Sequence, residues 1–319
     1  MKHFFYILIV VFFFSCTKEK KDVSFTRIET GTKYRINDIY FLDKNKGFAV
    51  GGDRYFEGNI IKTLDGGTTW QKLDTSSMHS TNGVDLQTLY SVDFFNDSIG
   101  EAVGYGGKII RTEDGGNNWH TILHGTWSNF LKVKMISPTN SFIVSSGSLF
   151  YSPQYWYYFN IQESSYTLSD IEFTDNNNAY LSGQGFVKKS VDNGVTWKTL
   201  DIKGDYFFDI DFVNNNVGYI CGWQGGIYKT IDAGETWKII NNTNKAFSTR
   251  HHYENIDFLD EKTGVVCAYN GEILFTDNGG DSWIELKTDK NINFHSICFY
   301  DASTVYAGTN QGQIFKIIL

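Results

Sequence analysis

Proline and cysteine are scarce in this sequence of 319 residues, with 2 Pro and 4 Cys. Glycine is abundant by contrast, with 31 copies, and aromatic residues make up 17% of the chain. This composition favours short strands joined by tight turns over helices. A hydrophobic share of 41% allows the chain to bury a core and excludes a disordered or fibrous protein. We therefore expect an all-β fold.

Positive charge is also in short supply, because 28 Lys and Arg face 36 Asp and Glu and leave a net charge of -8. A nucleic-acid backbone is held by a basic field, so we expect no nucleic-acid partner. Sequence fingerprints of several enzyme classes are absent, including Gly-x-Ser-x-Gly, the Walker motif and the dinucleotide-binding motif.

One apolar run, residues 4–14, follows Lys2 and ends at Ser15 and Cys16. As a helix it would rise about 16 Å, against roughly 30 Å of bilayer hydrocarbon, so it is too short for a comfortable membrane span. It is typical of a cleaved secretory signal, residues 1–15. The end of the run resembles a bacterial lipobox, which would make Cys16 a lipidated N-terminal residue. The alternative is an ordinary signal with an incidental cysteine.

Residues 16–23 combine that cysteine with a charged stretch suited to a flexible tether, and we expect a folded domain over 24–319. Thr17 after the cysteine resembles an outer-membrane sorting pattern. The expected location is therefore the bacterial cell envelope, lipid-anchored at the outer membrane. The remaining cysteines, Cys221, Cys267 and Cys298, lie in apolar strand patterns and are expected in the core.

An octapeptide recurs five times and ends in Trp each time. Its first, third, fifth and eighth positions are Ser or Thr, Asp or Asn, Gly, and Trp. These look like the Asp-boxes of sialidase-like and related propellers. A short side-chain oxygen can bond the backbone N–H groups of a hairpin turn, Gly permits a left-handed conformation, and Trp anchors the next strand, so the expected role is structural. The predicted box residues are Asp65, Gly67, Trp70, Asp114, Gly116, Trp119, Asp192, Gly194, Trp197, Asp232, Gly234, Trp237, Asn278, Gly280 and Trp283.

Each box belongs to a longer unit that begins with an x-Ile-x-Phe strand, and seven such units follow one another. The third unit has lost its box, and the seventh stops after three strands. Residues 25–30 match the missing fourth strand. We therefore predict a seven-bladed β-propeller of four-stranded blades, closed by the N-terminal strand in the last blade.

The order of elements is clearest in residues 103–119 and resembles the photosystem II assembly/stability factor family of Asp-box propellers. The resemblance covers nearly the whole chain after the signal. It implies a protein that binds and assists other proteins, is not an enzyme, and needs no cofactor. We therefore expect a membrane or envelope protein as partner, with the chain itself held to the membrane by its lipid anchor.

One face of such a propeller collects the Gly-rich turns between second and third strands together with the connections between blades. Long connections are expected at residues 75–88 and 240–253. Exposed aromatic residues there could form a protein hot spot or stack on sugar rings. The alternative is that they cover blade edges. The candidate binding residues are Tyr105, Gln184, Trp223, Arg250, His251, Tyr269 and Asn310.

Three further interpretations concern the chemistry of the site. Carboxylates flank the Ile of most first strands, with Lys132 and Lys134 opposing them, and predict a hydrated, net acidic central channel. They could hold a hard cation, but pairing with backbone or water is favoured, and no metal is predicted.

A carbohydrate-binding or glycoside-active propeller is the alternative function, so a glycan is the alternative partner. A sialidase is not expected, because arginine is sparse and Arg27-Ile28 is followed by Glu29 where sialidases have Pro.

Overall fold

The computed structural model describes residues 23–53, 57–74, 87–123, 125–153, 159–163, 167–174, 177–202, 206–242 and 252–319. Within these residues 28 strands form seven four-stranded antiparallel sheets. The sheets are the blades of a β-propeller, which confirms the predicted fold. None of the described residues forms a helix long and apolar enough to cross a membrane.

The first three blades follow the chain order from the channel outward. Blade 1 consists of β2 (Ile36–Phe41), β3 (Gly47–Asp53), β4 (Glu57–Thr63) and β5 (Gln71–Lys72). Blade 2 consists of β6 (Leu89–Phe94), β7 (Gly100–Gly104), β8 (Ile109–Thr112) and β9 (His120–Ile122), with a 3-10 turn at Tyr105–Gly107. Blade 3 consists of β10 (Phe130–Met135), β11 (Ser141–Ser145), β12 (Ser148–Ser152) and β13 (Phe159–Glu163).

The next three blades repeat this order. Blade 4 consists of β14 (Leu168–Phe173), β15 (Ala179–Gly183), β16 (Phe186–Ser190) and β17 (Lys198–Thr199). Blade 5 consists of β18 (Phe207–Phe212), β19 (Gly218–Gly222), β20 (Gly226–Thr230) and β21 (Lys238–Asn242). Blade 6 consists of β22 (Tyr253–Phe258), β23 (Gly264–Ala268), β24 (Glu272–Thr276) and β25 (Ile284–Lys287).

Blade 7 joins the two ends of the chain. It consists of β26 (Phe294–Asp301), β27 (Thr304–Thr309), β28 (Gln313–Ile318) and β1 (Ser24–Glu29). β1 runs antiparallel to β28, with Phe25 opposite Ile317 and Ile28 opposite Ile314. This pairing closes the ring as predicted and protects the outer edge of β28.

The hydrophobic core lies between neighbouring blades. One cluster combines Phe48 and Val50 of blade 1 with Phe94 and Trp119 of blade 2, and all four side chains are buried. The Trp119 ring stands edge-on to the rings of Phe48 and Phe94, with centroids 5.9 and 5.8 Å apart. Because both sheet faces are covered, second strands such as β3 are apolar on both sides.

None of the three cysteines that the structure describes forms a disulfide, and two of them belong to the core. Cys221 and Cys267 are buried, as expected. Cys298 is half-buried because it takes a flanking position on an innermost strand, where carboxylates stand in other blades.

The turns divide into two faces. On one, which we call the box face, each box is bonded to the first-to-second turn of its own blade, as in Gly66 N–H to Asn45 O at 2.8 Å. On the other, the loop face, the second-to-third turn bonds the residue before the first strand in blades 1, 2, 4, 5 and 7, as in Trp223 N–H to Tyr206 O at 3.0 Å. Every first strand therefore runs from the loop face to the box face.

Candidate functional site

The box turns are organised around a buried hydroxyl. In blade 1 the Thr63 Oγ1 accepts hydrogen bonds from the N–H groups of Asp65 and Gly67, at 3.3 and 2.9 Å. The same hydroxyl donates to the Asp65 carboxylate at 2.8 Å. Sequence reasoning emphasised the Asp and missed this hydroxyl, although its position is Ser or Thr in every box. The equivalent residues are Thr112, Ser190, Thr230 and Thr276, all buried.

The box carboxylates are engaged inside their own turns. The Asp114 Oδ1 accepts hydrogen bonds from the successive N–H groups of Asn117 and Asn118, at 3.0 and 2.9 Å. Slight burial opposes ionisation, but the hydrogen bonds from Asn118 prevail and lower the pKa of Asp114 to about 2. In blade 4 the hydroxyl and the N–H of Thr196 lower the pKa of Asp192 to about 2. These oxygens bind backbone and neighbouring side chains within the turn.

Four of the predicted binding residues occupy the same position in their blades. Each stands directly after the second strand and donates its backbone N–H to the carbonyl that precedes the first strand of its blade. The four residues are Tyr105, Gln184, Trp223 and Asn310. Tyr269 likewise follows β23 directly. Arg250, His251 and most of the two long connections lie outside the described residues.

Aromatic side chains from blades 5 and 6 meet on the loop face. The Trp223 ring stacks on Phe208, with centroids 5.8 Å apart and planes at 19°, and lies 4.7 Å from the His252 ring. His252 lies 5.4 Å from Tyr269, and Tyr206 lies 4.8 Å from Phe208. We call these five residues the aromatic cluster. Its centre, Trp223, is 47% exposed.

Sequence reasoning found only part of the aromatic cluster. Trp223 and Tyr269 were predicted for this face, whereas Tyr206 and Phe208 were not. Tyr206 and Phe208 are separated by one residue at the start of an innermost strand, so their side chains point the same way. This spacing is the sequence signal that could have identified the pair. Trp127 was also missed. It lies between blades 2 and 3 and is 84% exposed.

A cavity of about 230 Å³ opens at the channel mouth beside the aromatic cluster. Tyr206 and Phe208 line it together with groups of both charges. At its wall the His295 Nδ1 lies 3.4 Å from a Glu254 oxygen, and burial lowers the pKa of His295. The charged lining residues are Arg35, Asp38, Lys132, Asp170, Asp209 and Glu254. A ligand here would meet aromatic surface outside and charged groups within.

The channel carboxylates bond the backbone of the next blade. The Asp38 Oδ2 accepts the Val92 N–H at 3.0 Å, and the Asp209 Oδ2 accepts the Ile256 N–H at 2.9 Å. The flanking positions of the x-Ile-x-Phe strands thus link neighbouring blades. Equivalent bonds are made by Asp93, Asp170, Asp211 and Asp257. Among the described residues no group of three His, Cys, Asp or Glu is placed to hold a metal ion.

Blade 3 alone supplies lysines to these channel positions. The Lys132 Nζ lies 3.3 Å from Asp170 and 3.6 Å from Asp209, and the Lys134 Nζ lies 2.9 Å from Glu172. Burial raises the pKa of Asp93 to about 6 despite Lys134 nearby. The Lys132 and Lys134 side chains are 27% and 30% exposed, so the channel pairs partly exposed lysines with more deeply buried carboxylates.

The comparisons with known proteins agree with this architecture. The family described as Photosynthesis system II assembly factor YCF48 matches residues 17–127 and 197–317. The intervening residues include blade 3, which lacks a box. No curated protein sequence matches the chain significantly.

Several solved structures share the fold. A structure titled "YCF48 bound to D1 peptide" has a TM-score of 0.73 at 17% identity, covering 92% of this chain and 97% of that one. YCF48 from Cyanidioschyzon merolae gives 0.74 at 17% identity, with coverage of 92% and 98%. A virginiamycin B lyase from Staphylococcus aureus gives 0.65 at 11% identity, with coverage of 93% and 100%. At these identities the likeness concerns the fold alone.

Proposed function

The chain belongs to the Photosynthesis system II assembly factor YCF48 family, and from this premise we propose that it is an exported, lipid-anchored protein of the cell envelope. In this proposal it binds a segment of another envelope protein through the loop face and assists its assembly without catalysing a reaction.

The aromatic cluster is the observation that carries the proposal. Protein-binding hot spots are rich in Trp and Tyr held in place by their neighbours, and Trp223 is held between Phe208 and His252. The adjacent cavity offers charged groups to a polar segment. A related propeller has been solved with a peptide bound, which favours an extended peptide as the ligand class.

Export and anchoring are supported by the N-terminal sequence. The apolar run and Cys16 have the order of a lipoprotein signal. We expect Cys16→Ser to release the protein from the membrane fraction and abolish incorporation of a labelled fatty acid. Retention of the Cys16→Ser protein in membranes with unchanged labelling would contradict the anchor.

Binding through the loop face is tested by photo-cross-linking in native membranes. A photoreactive residue at Gln184 on the loop face is compared with one at Glu285 on the outer strand of blade 6, since both side chains are exposed. We expect one protein to be cross-linked from position 184 and to be lost when Trp223→Ala is added. Equal yields from both positions would overturn the proposal. If free glycan instead dissociates the propeller from what it binds in the membrane, the result would favour carbohydrate binding.

A further inference from the structure

Exposed aliphatic side chains gather on the box face. Leu64, Val191 and Ile231 occupy the second position of three boxes, and Val195 occupies the sixth position of the blade 4 box. These four side chains are 65% to 73% exposed. Further exposed apolar residues at this end of the blades are Phe95, Leu259 and Ile318. The box turns do not require them, since Glu113 and Asp277 fill the second position in blades 2 and 6.

The folded chain also begins on the box face. Ser24, the first residue of β1, pairs with Ile318 at the end of β28. The next residue, Leu319, donates its N–H to Ser303 O at 2.8 Å, and Ser303 lies in the first-to-second turn of blade 7. Val23 therefore leads away from the same face that presents the aliphatic side chains.

The distance from this point to the expected lipid is short. Residues 17–23 separate Cys16 from Ser24 and span at most about 25 Å when fully extended. The first strands run from one face to the other, and a strand such as β2 has six residues, about 20 Å. A lipid on Cys16 would thus keep the box end of blade 7 near the bilayer, with the loop face farther from it by the length of a strand.

We propose that the box face rests on the lipid headgroup layer and that the loop face points away from the membrane, toward the partner. The inference rests on the proposed lipid anchor. Blades 1 and 7 contribute Leu64 and Ile318, whereas the aliphatic residues of blades 4 and 5 lie across the channel from them. Contact on both sides of the channel holds the propeller flat on its box face, with the aliphatic side chains entering the interface.

Fluorescence quenching of the full-length lipidated protein tests this orientation. It uses vesicles of phosphatidylethanolamine and phosphatidylglycerol with brominated acyl chains, and a Cys298→Ser background. An environment-sensitive fluorophore is attached at Val195→Cys or, as the matched control, at Gln184→Cys on the loop face. We expect at least threefold stronger quenching at position 195 than at position 184.

Two failures are distinguishable in this design. If the protein does not float with the vesicles, the proposed anchor is wrong and the orientation falls with it. If it floats but position 184 is quenched as strongly as position 195, the anchor stands and the orientation is wrong.

A second variant tests the role of the aliphatic side chains themselves. Val191→Ser, Val195→Ser and Ile231→Ser are combined, and the fluorophore is moved to Thr68→Cys on the same face. We expect quenching at position 68 to fall by at least half, with an unchanged melting temperature. Unchanged quenching would show that these side chains do not contact the lipid.

Discussion

The two faces of the propeller are built by the same strands but differ in how far they repeat. On the box face a Ser or Thr hydroxyl makes the same hydrogen bonds in five blades. On the loop face the backbone bond after the second strand repeats, whereas the side chains beside it do not: Tyr105, Gln184, Trp223 and Asn310 share one position. The difference teaches that turn chemistry fixes the side chains of the box face, whereas the backbone bond of the loop face leaves its side chains free to differ between blades.

The largest expected effect is on stability, and it differs between a tryptophan of the box face and a tryptophan of the loop face. Trp119 of the blade 2 box is 2% exposed, so Trp119→Ala should lower the free energy of unfolding by about 3–5 kcal/mol. Trp127→Ala on the loop face is the control and should change it by no more than about 0.5 kcal/mol. Denaturant unfolding measures both. Similar losses in the two variants would remove the distinction between the faces.

Acid should act in opposite directions on the channel and the boxes. The pKa of Asp93 is about 6 in the folded protein, above its ordinary value of 3.8. The folded state therefore binds this proton more tightly, and its contribution to stability increases as the pH falls from about 7 toward 4. The change is at most about 3 kcal/mol.

The box carboxylates give the reverse sign. The folded-state pKa of Asp114 is about 2, so its stabilising contribution is present above pH 4 and is lost as the pH falls toward 2. Melting temperatures from pH 7 to pH 2 should show both slopes. Asp93→Asn should flatten the slope at higher pH, because Asn does not titrate. The amide oxygen can still accept the Met135 N–H, so the contact between the blades is kept. An unchanged upper slope in Asp93→Asn would contradict the assignment.

The loop face should be sensitive in binding and insensitive in folding. Trp223→Ala is expected to weaken partner binding by about 2 kcal/mol, roughly 30-fold, because it removes the centre of the aromatic cluster. The control is Ile239→Ala on the outer strand β21, which is equally exposed at 46%. Titration of the protein with the partner that cross-linking identifies measures the affinity. Equal weakening by both substitutions would place the binding site elsewhere.

The smallest effect concerns a single box carboxylate. Asp114→Ala should cost about 1 kcal/mol, because the N–H groups of Asn117 and Asn118 lose their acceptor. Asp114→Asn should cost less, since Asn278 fills this position in blade 6 and accepts the Ser282 N–H at 3.0 Å. Denaturant unfolding ranks the two variants. Equal costs in the two variants would show that the charge, rather than the acceptor, stabilises the turn.

Much of the architecture could be predicted because its signals are local and repeated. The box turn is specified within eight residues, and β1 was assigned to the last blade because residues 25–30 follow the pattern of a fourth strand. The inter-blade role of the carboxylates was harder to foresee. The Asp209 oxygen bonds a residue 47 positions away, and its partner is set by the closure of the ring.

The sequence by itself determined the number of blades, the box turns and the closing strand, since periodicity and turn chemistry act over a few residues. The tertiary structure alone decided which side chains meet. Tyr206, Trp223 and Tyr269 come from separate turns of two blades, and they form one surface because the ring brings the starts of the first strands to the channel mouth. The same closure decided that the folded chain begins on the box face, because β1 pairs antiparallel with β28, which ends on that face.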